Sequence, residues 1–397
     1  MTDVCFYFEV HQPVRLRRLH LFNMPQDFDY WDHAKNRAIF ERVSDKCYIP
    51  TNKLLLDLIR EHPGFKASFS LSGTFVEQAK QFRPDVMESF RALADTGNVE
   101  FLDETYYHSL AGLWGDDQTE LREQIRAHRD LMEKELGVRP TFYRNTELIY
   151  DDRIARSIEA LGYLGIATEG TERILDWRSP NYVYAPAHSG SKLKVLLKNY
   201  KLSDDIAFRF STGPSWPEWP LTAPKYADWL AKQEGQTVNL FMDYETFGEH
   251  NWPESGIFDF LRHMPGEAIK RGVGFTTPSE VVEEHEAVGK IEVPFAISWA
   301  DSERDVSAWL HNEMQQQAFN TLRDLAPFVK EVDDPTLTHA WRLLQTSDHV
   351  YYCTTKHMGD QDIHMYFSPY DSPYQAFINL MNVIVDLKHK VFARLRR

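Results

Sequence analysis

Hydrophobic positions in the first 275 residues fall into short unbroken runs separated by stretches with helical spacing. The runs at residues 4–10, 66–72, 98–102, 141–146, 163–168, 194–199, 238–243 and 273–276 predict strands buried on both faces. Between them, apolar positions recur every three or four residues over Thr51–Glu61, Pro84–Asp95, Thr119–Leu136, Asp151–Leu161 and Ala223–Gln233, the spacing of amphipathic helices. Asp151 stands where it can cap a helix start, and Gly97, Gly137, Gly162 and Gly235 stand where helices end. Such alternation implies parallel strands joined by crossover helices. Seven or eight of them close into a barrel, whose strand C-terminal ends carry the chemistry. Past residue 285 the strand pattern fades and helical spacing takes over, in Asp305–Val332, Pro335–Leu344 and Tyr374–Arg397, with Ser302-Glu303-Arg304-Asp305 spaced as a capping box. The division expected is a barrel over residues 1–285 and a helical domain over 286–397 that completes a substrate cleft.

Composition narrows the function classes. The net charge of −15, with no local block of Lys and Arg, excludes nucleic acid and anionic membrane as partners. The start of the chain lacks a basic flank and a long apolar run, and no stretch approaches the roughly 18 apolar residues of a membrane span, so a cytoplasmic protein is expected. Cys5, Cys47 and Cys353 are odd in number and far apart, which argues for reduced thiols rather than a disulfide framework or a thiolate zinc site. An open doubly wound sheet would share the periodicity. However, no GxGxxG follows the first strand and no GxxxxGK[ST] occurs, so nucleotide binding has no support. With 10 Trp, 18 Tyr and 25 Phe the chain is rich in flat apolar surfaces of the kind that stack on sugar rings.

Two strand ends stand out. Val238–Met242 is apolar and runs directly into Asp243, Glu245, Glu249 and His250, a costly concentration of ionisable groups at a buried strand end. Phe142–Thr146 runs in the same way into Glu147, for which an ion pair with Arg144 is the plain structural alternative. Two carboxyl groups at different strand ends of one barrel are what glycoside cleavage needs, one to attack and one to protonate the leaving oxygen. His11, His108 and His250, with Asp243 or Asp103, are ordinary metal-ligand types, but no HxxxH or HExxH spacing fixes two of them on one helical face. No metal or other cofactor is expected.

His11-Gln12-Pro13, Gly97–Leu102, the Glu147 segment and Met242–His250, in that order and spacing, resemble glycoside hydrolase family 57, the second family of α-amylases and related α-glucan enzymes. Phe275–Glu280, Ser298–Asp301 and Ser347-Asp348-His349 carry the resemblance almost to the end of the chain. The resemblance implies an α/β fold, a distorted (β/α)7 barrel followed by a helical domain. It also implies a retaining enzyme on α-1,4-glucans or maltooligosaccharides, with Glu147 as nucleophile and Asp243 as general acid/base. A 4-α-glucanotransferase or branching enzyme would use the same site, and a non-catalytic glucan-binding protein is the alternative of another class. Expected substrate contacts are His11, Gln12, Glu100, His108, Glu245, His250, Trp252, Trp299, Asp301, Asp348 and His349, with Trp299 and Trp252 as stacking surfaces. One departure is Thr146, which occupies the position ahead of the nucleophile where the family often has Trp.

Overall fold

The computed structural model describes residues 2–20, 22–356 and 368–396. Its centre is built from the strands β1 (Asp3–Val10), β2 (Ala67–Leu71), β3 (Val99–Phe101), β4 (Phe142–Arg144), β5 (Gly165–Glu169), β6 (Tyr184–Pro186), β7 (Lys194–Lys198), β8 (Thr237–Asp243), β9 (Phe275–Thr276) and β10 (Gly289–Ile291), which pair in parallel except for β6 with β7. Hydrogen-bonded neighbours run β3-β2-β1-β8 in one sheet and β10-β6-β7-β5-β4 in another. Two seams join these sheets into a ring. At the first, Asp103 N–H donates to the Phe142 carbonyl (3.0 Å) and Arg144 N–H to that of Asp103 (2.8 Å). At the second, Asn199 N–H donates to the Asn239 carbonyl (2.9 Å) while the Asn239 amide donates to the Leu197 carbonyl (2.9 Å). The ring β1-β2-β3-β4-β5-β7-β8 is the distorted (β/α)7 barrel. β9 pairs with Val4 and Cys5 low on β1, and β6 meets β7 only at Val195.

Alternation along β1 shows how the barrel is filled. Val4, Phe6, Phe8 and Val10 face the surrounding helices and pack with Phe40, Leu55, Phe75 and Phe90. Cys5 and Tyr7 point inward and share the barrel interior with Phe142, Ala167, Leu196 and Phe241. Continuing the period of two puts Glu9 inward as well, one layer higher, where the register pairs it with Asp243. The top layer of a packed apolar interior is therefore made of carboxyl groups.

The helices expected between strands form at Ile49–Glu61, Pro84–Ala94, Thr119–Leu136, Asp152–Ala160 and Ala223–Ala231. Asp151 caps the fourth through bonds from Arg153 N–H and Ile154 N–H, and Gly137 ends the third in the left-handed region (φ 68°). The long helix expected over Asp305–Val332 is three pieces, Ser307–Leu310, Glu313–Asp324 and Ala326–Val332. The expected capping box at Ser302 does not form. Ser302–Arg304 is a turn, and the boxes that do form pair Thr277 with Glu280 and Asn312 with Gln315. The final helix, Pro373–Leu395, buries Ala376, Leu380, Val383, Ile384, Leu387 and Val391, one apolar stripe against the other C-terminal helices and residues 14–31. Arg397, the expected end of that helix, lies outside the described residues. No helix among the described residues is long and apolar enough to cross a membrane.

Candidate active site

A cavity of about 610 Å³ opens at the C-terminal ends of the barrel strands, and both Glu147 and Asp243 line it. Asp243 is the last residue of β8. Glu147 follows β4 in a tight turn in which it and Leu148 both take positive φ (56° and 51°), a conformation that costs side-chain-bearing residues on the order of 1–3 kcal/mol each and persists only where the surroundings impose it. The surroundings here are Ser298 and Trp299. The Ser298 hydroxyl and the Trp299 N–H both donate to the Glu147 carbonyl, at 2.8 and 3.3 Å.

The Glu147 carboxylate is held as firmly as its backbone. The Trp299 indole N–H donates to Oε2 at 2.7 Å, the Ser347 hydroxyl donates to Oε1 at 3.2 Å, and His108 Nε2 lies 3.3 Å from Oε1. Burial works to raise its pKa. The His108 contact, the charges of His108 and Arg144 and the indole bond outweigh burial and hold it below the usual carboxylate value. Asp243 moves the other way, pushed up to about 6 by burial and then by the Glu147 charge, against weaker pulls from Arg144, Lys198 and His108. Two carboxyl groups on one cavity thus favour different protonation states.

His108 links this pair to a buried charged layer beneath it. Its Nδ1 lies 3.2 Å from Glu104 and 3.3 Å from Glu9, and although burial opposes its charge, these carboxylates and Glu147 hold its pKa well above the ordinary imidazole value. The ring stacks on His11, centroids 3.9 Å apart, and burial followed by the adjacent His108 charge lowers the His11 pKa. His11 in turn bonds Ser72 (2.7 Å) and Asp348 (3.0 Å). Arg144 is fully buried and pairs with Glu9, not with Glu147. Burial pushes Glu9 up to about 8 against the pull of that guanidinium.

Of the other expected contacts, Gln12, Glu245, His250, Trp252, Trp299 and Asp301 also line the cavity. Gln12 donates to Tyr48, whose hydroxyl donates to Glu245 at 2.5 Å. Glu245 is pushed up to about 8 by burial and then by Asp243, and burial lowers His250 to about 4. Asp301 accepts from Lys356 at 3.2 Å. Trp252 stands 56% exposed at the mouth, with the Lys46 ammonium over its ring.

Two expectations are corrected. Glu100 does not line the cavity. Its register partner Ser68 pairs with Tyr7, a layer below Glu9, and its carboxylate accepts from the Ser279 N–H (3.0 Å) and hydroxyl (2.5 Å). His349 is buried behind Asp348 and also does not line the cavity, and burial lowers its pKa to about 4. Trp299, expected as a stacking surface, packs its ring 5.0 Å from the Arg144 guanidinium and 5.2 Å from the Lys198 ammonium while its N–H binds Glu147.

Glu9, Glu104, Arg144, Lys198 and Ser347 join the site without having been singled out from the sequence. Glu9 carries the same signal that marked Asp243, a charge at the end of an apolar strand, whereas Ser347 stands beside Asp348 in a segment of the resemblance with nothing to mark it as a donor to Glu147. Asp103, considered as a ligand type, is bound by His128, Tyr163 and Arg129 and lies outside the cavity lining. Among the described residues, Glu9, Glu104 and His108 bring three ligand-type atoms within 4.8 Å of one another. The Arg144 guanidinium against Glu9 already supplies positive charge there, a poor neighbour for a metal cation.

The model of the Glycosyl hydrolase family 57 matches residues 5–294. The chain belongs to that family. As a family 57 protein it is an enzyme of the glycoside hydrolase or transferase kind. It is 46% identical over 98% of its length, and 84% of the other's, to a Methanocaldococcus jannaschii protein named "Putative alpha-amylase". Among solved structures it is similar to the GH57-type branching enzyme of Pyrococcus horikoshii (TM-score 0.71, 16% identity, 98% of this chain and 88% of that one). It is also similar to the 4-alpha-glucanotransferase of Thermococcus litoralis (TM-score 0.65, 16% identity, 97% of this chain), of which it spans 58%. At these identities the family 57 structures speak for the shared barrel alone.

Proposed function

We propose that this family 57 enzyme is an α-amylase-like, retaining glycoside hydrolase of α-1,4-glucans, with Glu147 as nucleophile and Asp243 as general acid/base. The observation that carries the reading is the divergence of the two carboxyl groups. Glu147 is held ionised by His108, Arg144 and Trp299, and Asp243 is kept partly protonated near pH 6 by burial and by Glu147 itself. Asp243 donates its proton to the glycosidic oxygen as Glu147 attacks the anomeric carbon. The bond to the leaving sugar breaks and a β-linked glycosyl-enzyme forms. Asp243, now ionised, removes a proton from the incoming hydroxyl, whose oxygen displaces Glu147 and restores the α configuration.

The C-terminal segment beyond residue 285 takes part through Trp299, Asp301, Ser347 and Asp348, in keeping with a helical domain over 286–397 that completes the cleft. A 4-α-glucanotransferase or branching enzyme is the second reading, favoured by the aromatic rings of Phe208, Trp252 and Tyr351 along the cavity. Such rings offer places for an acceptor sugar as well as a donor. A non-catalytic glucan-binding role is disfavoured by the presence of both carboxyl groups.

Incubation with maltoheptaose, with products separated by chromatography and the anomer of the first product read by proton NMR, tests both parts. Shorter α-anomeric products indicate a retaining hydrolase, and a ladder of shorter and longer chains indicates a transferase. β-Anomeric first products would remove the covalent mechanism.

A further inference from the structure

The turn that carries Trp299 is itself unusual. Between Ser298 and Asp305 the chain reverses with two non-glycine residues at positive φ, Asp301 (54°) and Arg304 (53°), and Ser298 N–H donates to the Arg304 carbonyl at 3.3 Å. The Arg304 side chain then reaches back under the turn. Its Nη1 donates to the Trp299 carbonyl and to Glu169 Oε2, both at 2.8 Å, and its Nη2 donates to Asp204 Oδ2 at 3.0 Å. Lys198 closes the group, 3.1 Å from Asp204 and 3.9 Å from Glu169. Glu169 ends β5 and Lys198 ends β7, so one planar guanidinium ties the backbone of Trp299 to the rim of the barrel.

From this arrangement we infer that Arg304 is a positioning residue for the Glu147 carboxylate and acts on it through Trp299. The indole is fixed at three points: its backbone carbonyl by Arg304, its ring by Arg144 and Lys198, and its N–H by Glu147. Arg304 does not line the cavity, and its guanidinium bonds Trp299, Glu169 and Asp204 rather than Glu147, so among the described residues the side chain reaches the carboxylate through Trp299. The inference rests on the reading of Glu147 as the nucleophile.

The experiment uses the full chain, maltoheptaose and the variants Arg304→Lys, Trp299→Phe and both together. Arg304→Lys keeps the positive charge beside Glu169 and Asp204 but loses the planar fork. It should lower kcat about tenfold with KM changed by less than about threefold, because the loss falls on the reacting geometry rather than on binding. Glu147, deprived of a well-placed donor, should titrate at higher pH, so the acid limb of kcat/KM moves upward. Trp299→Phe should move the limb the same way, and the double variant should be no slower than Trp299→Phe alone, since the two residues act in series. A lowered melting temperature with unchanged kcat and acid limb in Arg304→Lys would make the tether structural only and overturn the inference, as would effects that multiply in the double variant. If Arg304→Lys does not fold, Asp204→Asn, which weakens one arm of the fork, is read by the same limb shift. Near wild-type turnover in Glu147→Gln would sink the functional reading itself, an outcome separate from these.

Discussion

Trp299, 152 residues downstream of Glu147, donates its indole N–H to the Glu147 carboxylate at 2.7 Å. With His108 and Ser347 on the other oxygen, this bond aims the carboxylate and helps hold its pKa below the usual value, while burial and the Glu147 charge raise Asp243 to about 6.

The first prediction concerns pH. The general acid must be protonated, and Asp243 is raised to about 6, so kcat/KM should fall as pH rises through about 6. The acid limb belongs to Glu147 and should lie below the usual glutamate value, because its shift is downward. A profile on maltoheptaose between pH 3 and 9 checks both limbs. A plateau that persists to pH 8 would show that another group donates the proton.

Replacing either carboxyl group by its amide removes a function without removing volume. Glu147→Gln and Asp243→Asn should each lower turnover about a hundredfold or more while the melting temperature stays near that of the parent. On an aryl α-maltoside, whose leaving group departs without protonation, azide displaces Glu147 from the glycosyl-enzyme with no help from the acid/base and should restore part of the activity of Asp243→Asn. No rescue, together with a normal melting curve, would count against the acid/base role.

Glu100 belongs to the scaffold. Ser279→Ala removes a hydroxyl donor from this half-buried carboxylate and should destabilise the fold by about 1 kcal/mol, the usual net worth of one hydrogen bond. kcat/KM on maltoheptaose should not change. Urea unfolding together with steady-state rates separates the two effects, and a kinetic defect without a stability loss would return Glu100 to the site.

Gly248 sits between Glu245 and His250 with φ 107°, and a Cβ there would collide with the Lys46 carbonyl oxygen. Gly248→Ala should therefore shift the loop that carries both cavity residues, raising KM several-fold and lowering the melting temperature. An unperturbed KM would mean that the neighbouring Lys46 segment yields instead.

Much of the barrel was legible because parallel strands covered on both faces read as apolar runs, and β1, with every residue from Val4 to Val10 buried, is the plainest case. β6 ends in Pro186 and β10, Gly289-Lys290-Ile291, holds a single apolar side chain, so neither reads as an apolar run. The helix Ile257–Lys270 was masked by Pro265, which in sequence reads as a stop. Asp243 and Glu147 stood out in the sequence as charges at the ends of apolar runs, and both line the cavity, but Glu169 and Lys198 also end strands and pair with Arg304 and Asp204 instead. Depth along the barrel was not legible. Glu100 has the same inward alternation as a site residue but lies in the layer of Tyr7, and only register reveals that. Direction around a helix was equally hidden at Ser347–Tyr351, where one residue step turns His349 away from the cavity that Asp348 faces.

The donors to the Glu147 carboxylate on the far side of the cleft come from positions 299 and 347, up to 200 residues later in the chain. At ribosomal speeds of about 5–20 residues per second, a growing polypeptide carries that glutamate for roughly 10–40 s before both have been made. Catalytic competence is thus withheld by the order of synthesis, and a ribosome-tethered barrel has no finished site with which to act on glucan.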